Sequence, residues 1–318
     1  MQLNDDQGWA ALEARLIAAV DALAGGDPAA RYGIAVSGGP DSMALLYLAA
    51  RAFPGRVAAV TLDHGLRPES AEEAVMVGRW CAGQGIDHRV LAPDAPISGN
   101  VQAWARGQRY ARIESWRVER GIDWIMTAHH ADDQLETMVM RLNRGSGVGG
   151  LAGVRGRSGR VIRPLLGVRK AALQALVDVQ GLPHVHDPSN ADPRFDRALI
   201  RSALARADWL DAEAAARSAA ALAEAEVALE WSVADLAAQH VRADGAGCRL
   251  DQTDLPREYL RRLVLVMLER VAPDALPLRG ESLDRAIAAA AIGGQASLGA
   301  WLLKGGVAWT LMPAPPRR

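Results

Sequence analysis

Two short stretches of this chain carry side chains whose types and spacing could do chemistry. The first is Ser37-Gly38-Gly39-Pro40-Asp41-Ser42, which follows the apolar run YGIAV (32–36) and leads into a helical pattern from Met43 to Ala52. Glycines let the backbone turn at positive φ and approach a ligand closely. Successive N–H groups in such a turn, backed by a helix N-terminus, form a nest for an anion such as phosphate. Ser37 and Ser42 add hydroxyl donors. Asp41 repels phosphate, so it suits the nest only as a Mg²⁺ ligand or as a group facing a second substrate. The stretch is neither GxxxxGK[ST] nor GxGxxG, and no lysine stands near it in sequence. A plain strand-to-helix turn, with serine and aspartate as helix caps, accounts for the same residues.

The second stretch is Thr127-Ala128-His129-His130 followed by Ala131-Asp132-Asp133-Gln134-Leu135-Glu136-Thr137. Asp132 and Asp133 suit the first turn of a helix, where the dipole is positive, and N-capping alone explains them. Asp133 and Glu136 are three apart and share one helical face. Two carboxylates there could hold a cationic group or a metal. His129, His130, Asp132 and Asp133, with Asp63 and His64, also resemble the ligand inventory of a metal-dependent phosphoesterase. That alternative leaves the glycine loop without a role.

These stretches need a scaffold. Apolar runs at 32–36, 56–63, 88–92 and 123–129 alternate with helical patterns at 9–24, 43–52, 70–84, 100–120 and 131–143. Short apolar runs between helices of ten or more residues predict an α/β fold with a parallel sheet, and ligands of such sheets bind at the carboxyl ends of strands. Residues 144–160 are rich in glycine and arginine and predict a loop. A helix follows at 168–180, and 186–197 is rich in turn residues. Near 207 the composition turns alanine-rich and charged, which sets the expected boundary between a domain of residues 1–206 and a smaller, mainly helical one of 207–318. The second is expected to hold helices to about 240, at 257–271 and at 280–292, and a hairpin at 301–312.

The 318 residues are half hydrophobic and 23% charged, an ordinary globular balance that excludes a disordered or collagen-like chain. Cys81 and Cys248 form no CxxC pair, so a zinc ribbon or iron–sulfur ligand set is not expected, and buried inert thiols are. The N-terminus has no signal-peptide character. Residues 286–303 lack charge, but Gly293, Gly294, Gln295, Ser297 and Gly299 interrupt them, predicting a helix end, a turn and a strand rather than a membrane span. A cytoplasmic location is expected. Net charge is −1, yet residues 141–206 hold twelve basic and four acidic residues, a surplus of eight that suits a polyanion or a solvated loop. Arg106, Arg109 and Tyr110 are further candidates for RNA contact, whereas Trp104 and Trp116 suit a core.

SGGPDS after a strand resembles the SGGxDS loop of the N-type ATP pyrophosphatases, the PP-loop superfamily, which has an adenine-nucleotide α-hydrolase-like fold. TAHHADDQLETMVMRLNRGSGVGGLAGV (127–154) is similar to the motif of the bacterial tRNA(Ile)-lysidine synthetases, with Val154 where methionine is usual. LDHGLRPES (62–70), RPLL (163–166) and HDPSNADPRFDRALIR (186–201) resemble further blocks of that family. Asp63 and Ala198 stand where asparagine is usual. The resemblance spans about residues 30–205 and matches the family's short form.

It implies ATP and Mg²⁺ as cofactors, with L-lysine and a tRNA(Ile) bearing a CAU anticodon as partners. The implied reaction joins lysine to C2 of the wobble cytidine through an adenylated intermediate, releasing AMP and pyrophosphate. Residues 37–42 (Ser37, Gly38, Gly39, Pro40, Asp41 and Ser42) would then hold the pyrophosphate, with Asp41 on the metal. Asp133 and Glu136 would grip the lysine, and Arg197 or Arg201 would stabilise charge at the α-phosphate. His129 would touch nucleotide or phosphate, and the C-terminal helices would grip the tRNA body. A PP-loop tRNA thiolating enzyme and a non-catalytic RNA-binding module are the rival expectations. Monomer and homodimer both stay open.

Overall fold

The computed structural model describes residues 5–63, 65, 69–94, 101–185, 196–273 and 280–315. His64, residues 66–68 and residues 186–195, which carry parts of two of the motifs above, lie outside the described residues. The chain divides into two compact units, Met1–Ala223 and Glu224–Arg318.

In the first unit, β1 (Tyr32–Ala35), β2 (Val57–Leu62), β3 (Asp87–Leu91) and β4 (Trp124–Met126) form a parallel sheet. Two short strands, β5 (Arg157–Ser158) and β6 (Val161–Ile162), extend it, giving the order β3-β2-β1-β4-β6-β5. Only the β5–β6 pair is antiparallel. The interior strands are apolar because both faces of the sheet are covered. On one face, Ile34 and Ala59 pack with α1 (Asp5–Ala24), α2 (Pro40–Ala52), α3 (Glu69–Gly83) and α7 (Lys170–Val179), through residues such as Leu16, Leu45, Val77 and Leu176. On the other, Ala58, Val60 and Ile125 pack with Ile113 and Trp116 of α4 (Val101–Glu119).

Strand order places the site. From β1 the chain steps outward to β2 and β3, then returns to lay β4 on β1's other side. The crevice between the carboxyl ends of β1 and β4 is therefore a topological switch point. Residues 37–42 leave β1 there to start α2. Residues 127–130 leave β4 there to start α5 (Ala131–Leu142).

Some elements were not anticipated. The glycine-arginine segment contains the single-turn α6 (Val148–Leu151) as well as β5, and α8 (Asp196–Leu204) follows the turn-rich block. In the second unit, α10 (Arg257–Val271), α11 (Gly280–Ala291) and the later turns of α9 (Ala212–His240) pack on a five-stranded antiparallel sheet. Its order is β7 (Val241–Asp244), β8 (Gly247–Leu250), β11 (Trp309–Pro313), β10 (Trp301–Lys304), β9 (Gln295–Leu298). This unit thus carries more sheet than its helical periodicity announces, because strands of four residues such as VRAD and GCRL leave too few positions for alternation to register. Leu263, Met267, Ile287, Leu303 and Trp309 fill its core. The uncharged segment 286–303 resolves into the end of α11, a glycine turn, β9 and the start of β10. No helix among the described residues is long and apolar enough to cross a membrane.

Candidate active site

The loop after β1 is held by its own hydroxyls. Ser42 is buried; its Oγ accepts the Ser37 N–H at 3.2 Å and donates to the Gly39 carbonyl at 2.9 Å, with the Ser37 hydroxyl 3.3 Å away. Gly38 sits at φ +82°, and a Cβ there would lie 3.4 Å from both Met76 and Val185, so the tight turn needs glycine. Its carbonyl accepts the Val185 N–H at 3.0 Å. Gly39 is the N-cap of α2, with Pro40 in the first turn and no side chain capping it. Neither Ser37 nor Asp41 is spent as the helix cap. Asp41 Oδ1 is buried and has no hydrogen-bond partner among the described residues. A carboxylate oxygen in that position could hold a cation or a donor of a bound substrate.

The loop after β4 is ordered by a reciprocal cap. His130 is the N-cap of α5: its Nδ1 accepts the Asp133 N–H at 3.2 Å, while its own N–H donates to Asp133 Oδ2 at 3.1 Å. With Nδ1 accepting, the ring proton sits on Nε2, which lies 3.6 Å from Asp41 Oδ2 and 3.5 Å from Asp133 Oδ2. Burial pulls the His130 pKa down, but the carboxylates of Asp41, Asp133 and Asp132 outweigh it and hold the pKa above the ordinary histidine value. His130 therefore joins the two loops. His129 stands beside it, with Nδ1 3.0 Å from the Thr127 hydroxyl.

Asp132 turns away from its own helix. Its Oδ2 accepts the Lys170 N–H at 2.7 Å, capping α7, and its Oδ1 lies 3.4 Å from the Arg169 guanidinium. Asp133 and Glu136 share a face as their spacing requires, and α8 covers that face with two arginines. Arg197 donates from Nη2 to Asp133 Oδ1 and from Nε to Glu136 Oε2, both at 2.7 Å. Arg201 donates to both oxygens of Glu136. The Glu136 side chain is only 4% exposed, and its bonds to Arg201 hold that guanidinium's pKa up.

The long segment after α5 is tied down by one amide. Gln134 accepts the Val154 N–H at 2.7 Å and donates to the Val154 carbonyl at 2.8 Å. Gly153, at φ +63°, must lack a Cβ because the Gln134 amide occupies that space. Backbone atoms of Val154 make these contacts, so valine serves at this position.

Both loops face one cavity of about 1160 Å³. Ser37, Gly39, Pro40, Asp41 and Ser42 line it together with His129, His130, Asp133, Arg197 and Arg201. Of the residues singled out in the sequence, Gly38 lies behind the loop and Glu136 lies beneath the arginines. Arg109 and Tyr110 of α4 also line the cavity, whereas the Arg106 side chain lies outside the described residues and Trp116 is core. Thr61, Glu73 and Lys170 line it too, and the sequence did not mark them as site residues. The usable clue for Lys170 was composition, since it is one of two lysines in the chain. Among the described residues, no group of three or more His, Cys, Asp or Glu could hold a metal ion. Asp132, Asp133 and Glu136 are instead engaged by arginines and backbone N–H groups. Cys81 and Cys248 are free and buried, and neither lines the cavity.

A family model described as the PP-loop domain matches residues 12–207. The chain is 43% identical over 298 residues to a tRNA(Ile)-lysidine synthase of Zymomonas mobilis, covering 91% of this chain and 90% of that protein. It is 44% identical over 306 residues to a tRNA(Ile)-lysidine synthase of Novosphingobium aromaticivorans, covering 92% and 91%. Among solved structures, the U34-tRNA thiolase NcsA of Methanococcus maripaludis matches with a TM-score of 0.57 at 15% identity, covering 69% of this chain and 81% of that one. That last likeness is one of fold.

Proposed function

The chain belongs to the tRNA(Ile)-lysidine synthase family of PP-loop proteins, and on that premise we propose how its cavity joins L-lysine to a wobble cytidine. It is an ATP-dependent ligase of tRNA modification. A pyrimidine carbonyl oxygen is a poor leaving group. Attack of the C2 oxygen of cytidine on the α-phosphate of ATP expels pyrophosphate and leaves AMP on that oxygen. The lysine ε-amine then adds at C2 and AMP departs with the oxygen, so one difficult substitution becomes two easier ones.

The observation that carries this reading is the single cavity shared by residues 37–42 and by Asp133, Arg197 and Arg201. In the proposed site the loop N–H groups and the Ser37 hydroxyl receive the pyrophosphate. Asp41 Oδ1 would hold a Mg²⁺ ion, which when bound neutralises phosphate charge. Asp133 meets the amine. It is held by one arginine only, and Arg197 keeps 41% of its side chain exposed, so the guanidinium can swing to the α-phosphate as the ammonium arrives. Asp133 can also take the proton that the amine must lose before it attacks. Glu136, buried under two arginines, acts as their anchor. Arg109 and Tyr110 suit an unpaired anticodon base and its phosphate. The second unit would grip the tRNA body, and a cytoplasmic location fits the substrate.

Incubation of a CAU-anticodon tRNA transcript with the chain, ATP, Mg²⁺ and L-lysine tests the proposal. The expected product carries the mass of one lysine less one water at a single cytidine, with stoichiometric AMP. AMP formation without that mass gain would rule out lysine as the nucleophile.

A further inference from the structure

Resting on that reading, we infer that the β5–β6 hairpin binds the RNA backbone, with Arg157 and Arg160 receiving phosphates of the anticodon loop beside the cytidine that enters the cavity. Residues 155–160 read Arg-Gly-Arg-Ser-Gly-Arg, cations spaced by small residues. Gly159 turns the chain at φ +57°, and Arg157 and Ser158 pair with Ile162 and Val161. The Arg160 carbonyl accepts the Ile125 N–H at 2.9 Å, which fixes the turn to β4. Ser158, Gly159 and Arg160 line the cavity that the two loops share. β5 is the last strand of its sheet, and residues 157–160 are exposed.

Both guanidiniums are held by a ring rather than by a carboxylate. The central carbons of Arg157 and Arg160 lie over the Trp124 indole, 4.5 and 5.0 Å from its centre. Trp124 is 5% exposed, so the ring is anchored in the core. Among the described residues, neither guanidinium has a carboxylate within ion-pair distance. The carboxylates beside them are committed elsewhere. Glu114, whose pKa is held down by Arg117 and at longer range by Arg160, is gripped by Arg117 at 2.7 and 2.8 Å. Asp123, the residue before Trp124, accepts the Arg31 N–H at 2.8 Å. Arg157 gives one donor to the Leu23 carbonyl at 3.3 Å. Two like charges thus share one ring, and an anion from outside relieves their repulsion.

A phosphodiester chain is the fitting anion. The guanidinium fork matches phosphate oxygens, and stacking on an indole leaves its N–H edges for them. Two cations on one ring suit neighbouring phosphates of one strand. ATP has its own phosphate nest at residues 37–42, which leaves the hairpin to the other polyanion of the reaction. The surplus of eight basic residues over 141–206 includes both arginines.

The unaltered chain gives the first readout. A dicarbonyl reagent that modifies arginine, followed by peptide mass spectrometry, is expected to label Arg157 and Arg160. A CAU-anticodon tRNA transcript is expected to slow labelling of both, and ATP with Mg²⁺ alone is expected not to. Arg157→Gln combined with Arg160→Gln should weaken tRNA binding about 10-fold. It should also lower the slope of log Kd against log salt by about 1 to 2, the loss of two phosphate contacts. ATP should bind this variant as before. Arg157→Lys with Arg160→Lys keeps the charge without the fork, so it should keep the salt slope and recover only part of the affinity. Labelling unaffected by tRNA overturns the inference. So does protection by ATP alone, which would assign the arginines to the nucleotide. A glutamine variant that melts earlier yet keeps the parental salt slope overturns it as well, making the pair a strap for the sheet edge. An unaltered chain that binds no tRNA instead sinks the ligase reading itself.

Discussion

Arg201 reaches back across 65 residues to close on Glu136 with one edge of its guanidinium, Nε 2.6 Å from Oε1 and Nη2 3.0 Å from Oε2. Arg197 takes the same carboxylate from the other side and carries on to Asp133. One buried glutamate thus sets the position of α8 over the start of α5, and with it the arginines that face the cavity.

Glu136→Ala leaves two guanidiniums over a vacated pocket. Loss of stability should be about 3 kcal/mol, the low end for breaking a buried pair because Arg201 keeps a third of its surface exposed. Arg201→Lys retains charge without the fork and should recover stability only in part. Urea unfolding of both variants checks this, and an alanine variant as stable as the parent would remove the anchor role.

Gln134→Ala strips partners from the N–H and carbonyl of Val154 together, at about 1 kcal/mol, the low end for unpaired groups because Val154 is only partly buried. Amide hydrogen exchange should quicken first in residues 145–160. Exchange that rises evenly over the whole chain would mean that the amide does not specifically hold this segment.

Cys81 is fully buried, and burial pushes its thiol up to about 11. The folded protein should therefore show no reaction at Cys81 with a thiol reagent at pH 8, and stoichiometric reaction once unfolded. Rapid labelling of the native state would contradict the packing of α3 on the sheet.

His88 links titration to stability. Burial lowers its pKa, only partly offset by Asp87, and its Nε2 lies 2.9 Å from the Thr61 hydroxyl. The unfolded chain takes up a proton near pH 6.5, and the folded chain does so only at lower pH. Stability from this residue is thus full above pH 6.5 and lost as pH falls below it. His130, with its pKa raised, has the opposite sign: its contribution is full below pH 6.5 and lost as pH rises through the folded value. His88→Asn should therefore flatten the fall in melting temperature between pH 7 and 5, and an unchanged slope would refute the assignment.

The parallel sheet was legible because buried strands show as apolar runs, and α10 spans the predicted 257–271. Elements fixed by distant partners were not. The segment of α8 follows a polar, turn-rich stretch, and what holds it on α5 is a set of ion pairs with residues 61 to 65 positions away. Asp132 illustrates the same limit. Its place in the first turn of a helix suggests capping of that helix, and it meets the first N–H of α7 instead. Spacing reveals which residues share a face but not which remote backbone group or side chain arrives to meet it.

Ala212 and Ala216, in the first turns of α9, bury themselves against Ala131, the opening residue of the acidic helix. Proteolysis or truncation near position 206 would therefore not release an intact catalytic half. It would uncover Ala131, the residue next to His130 at the opening of α5, so a fragment that keeps this packing has to retain the chain to at least residue 216.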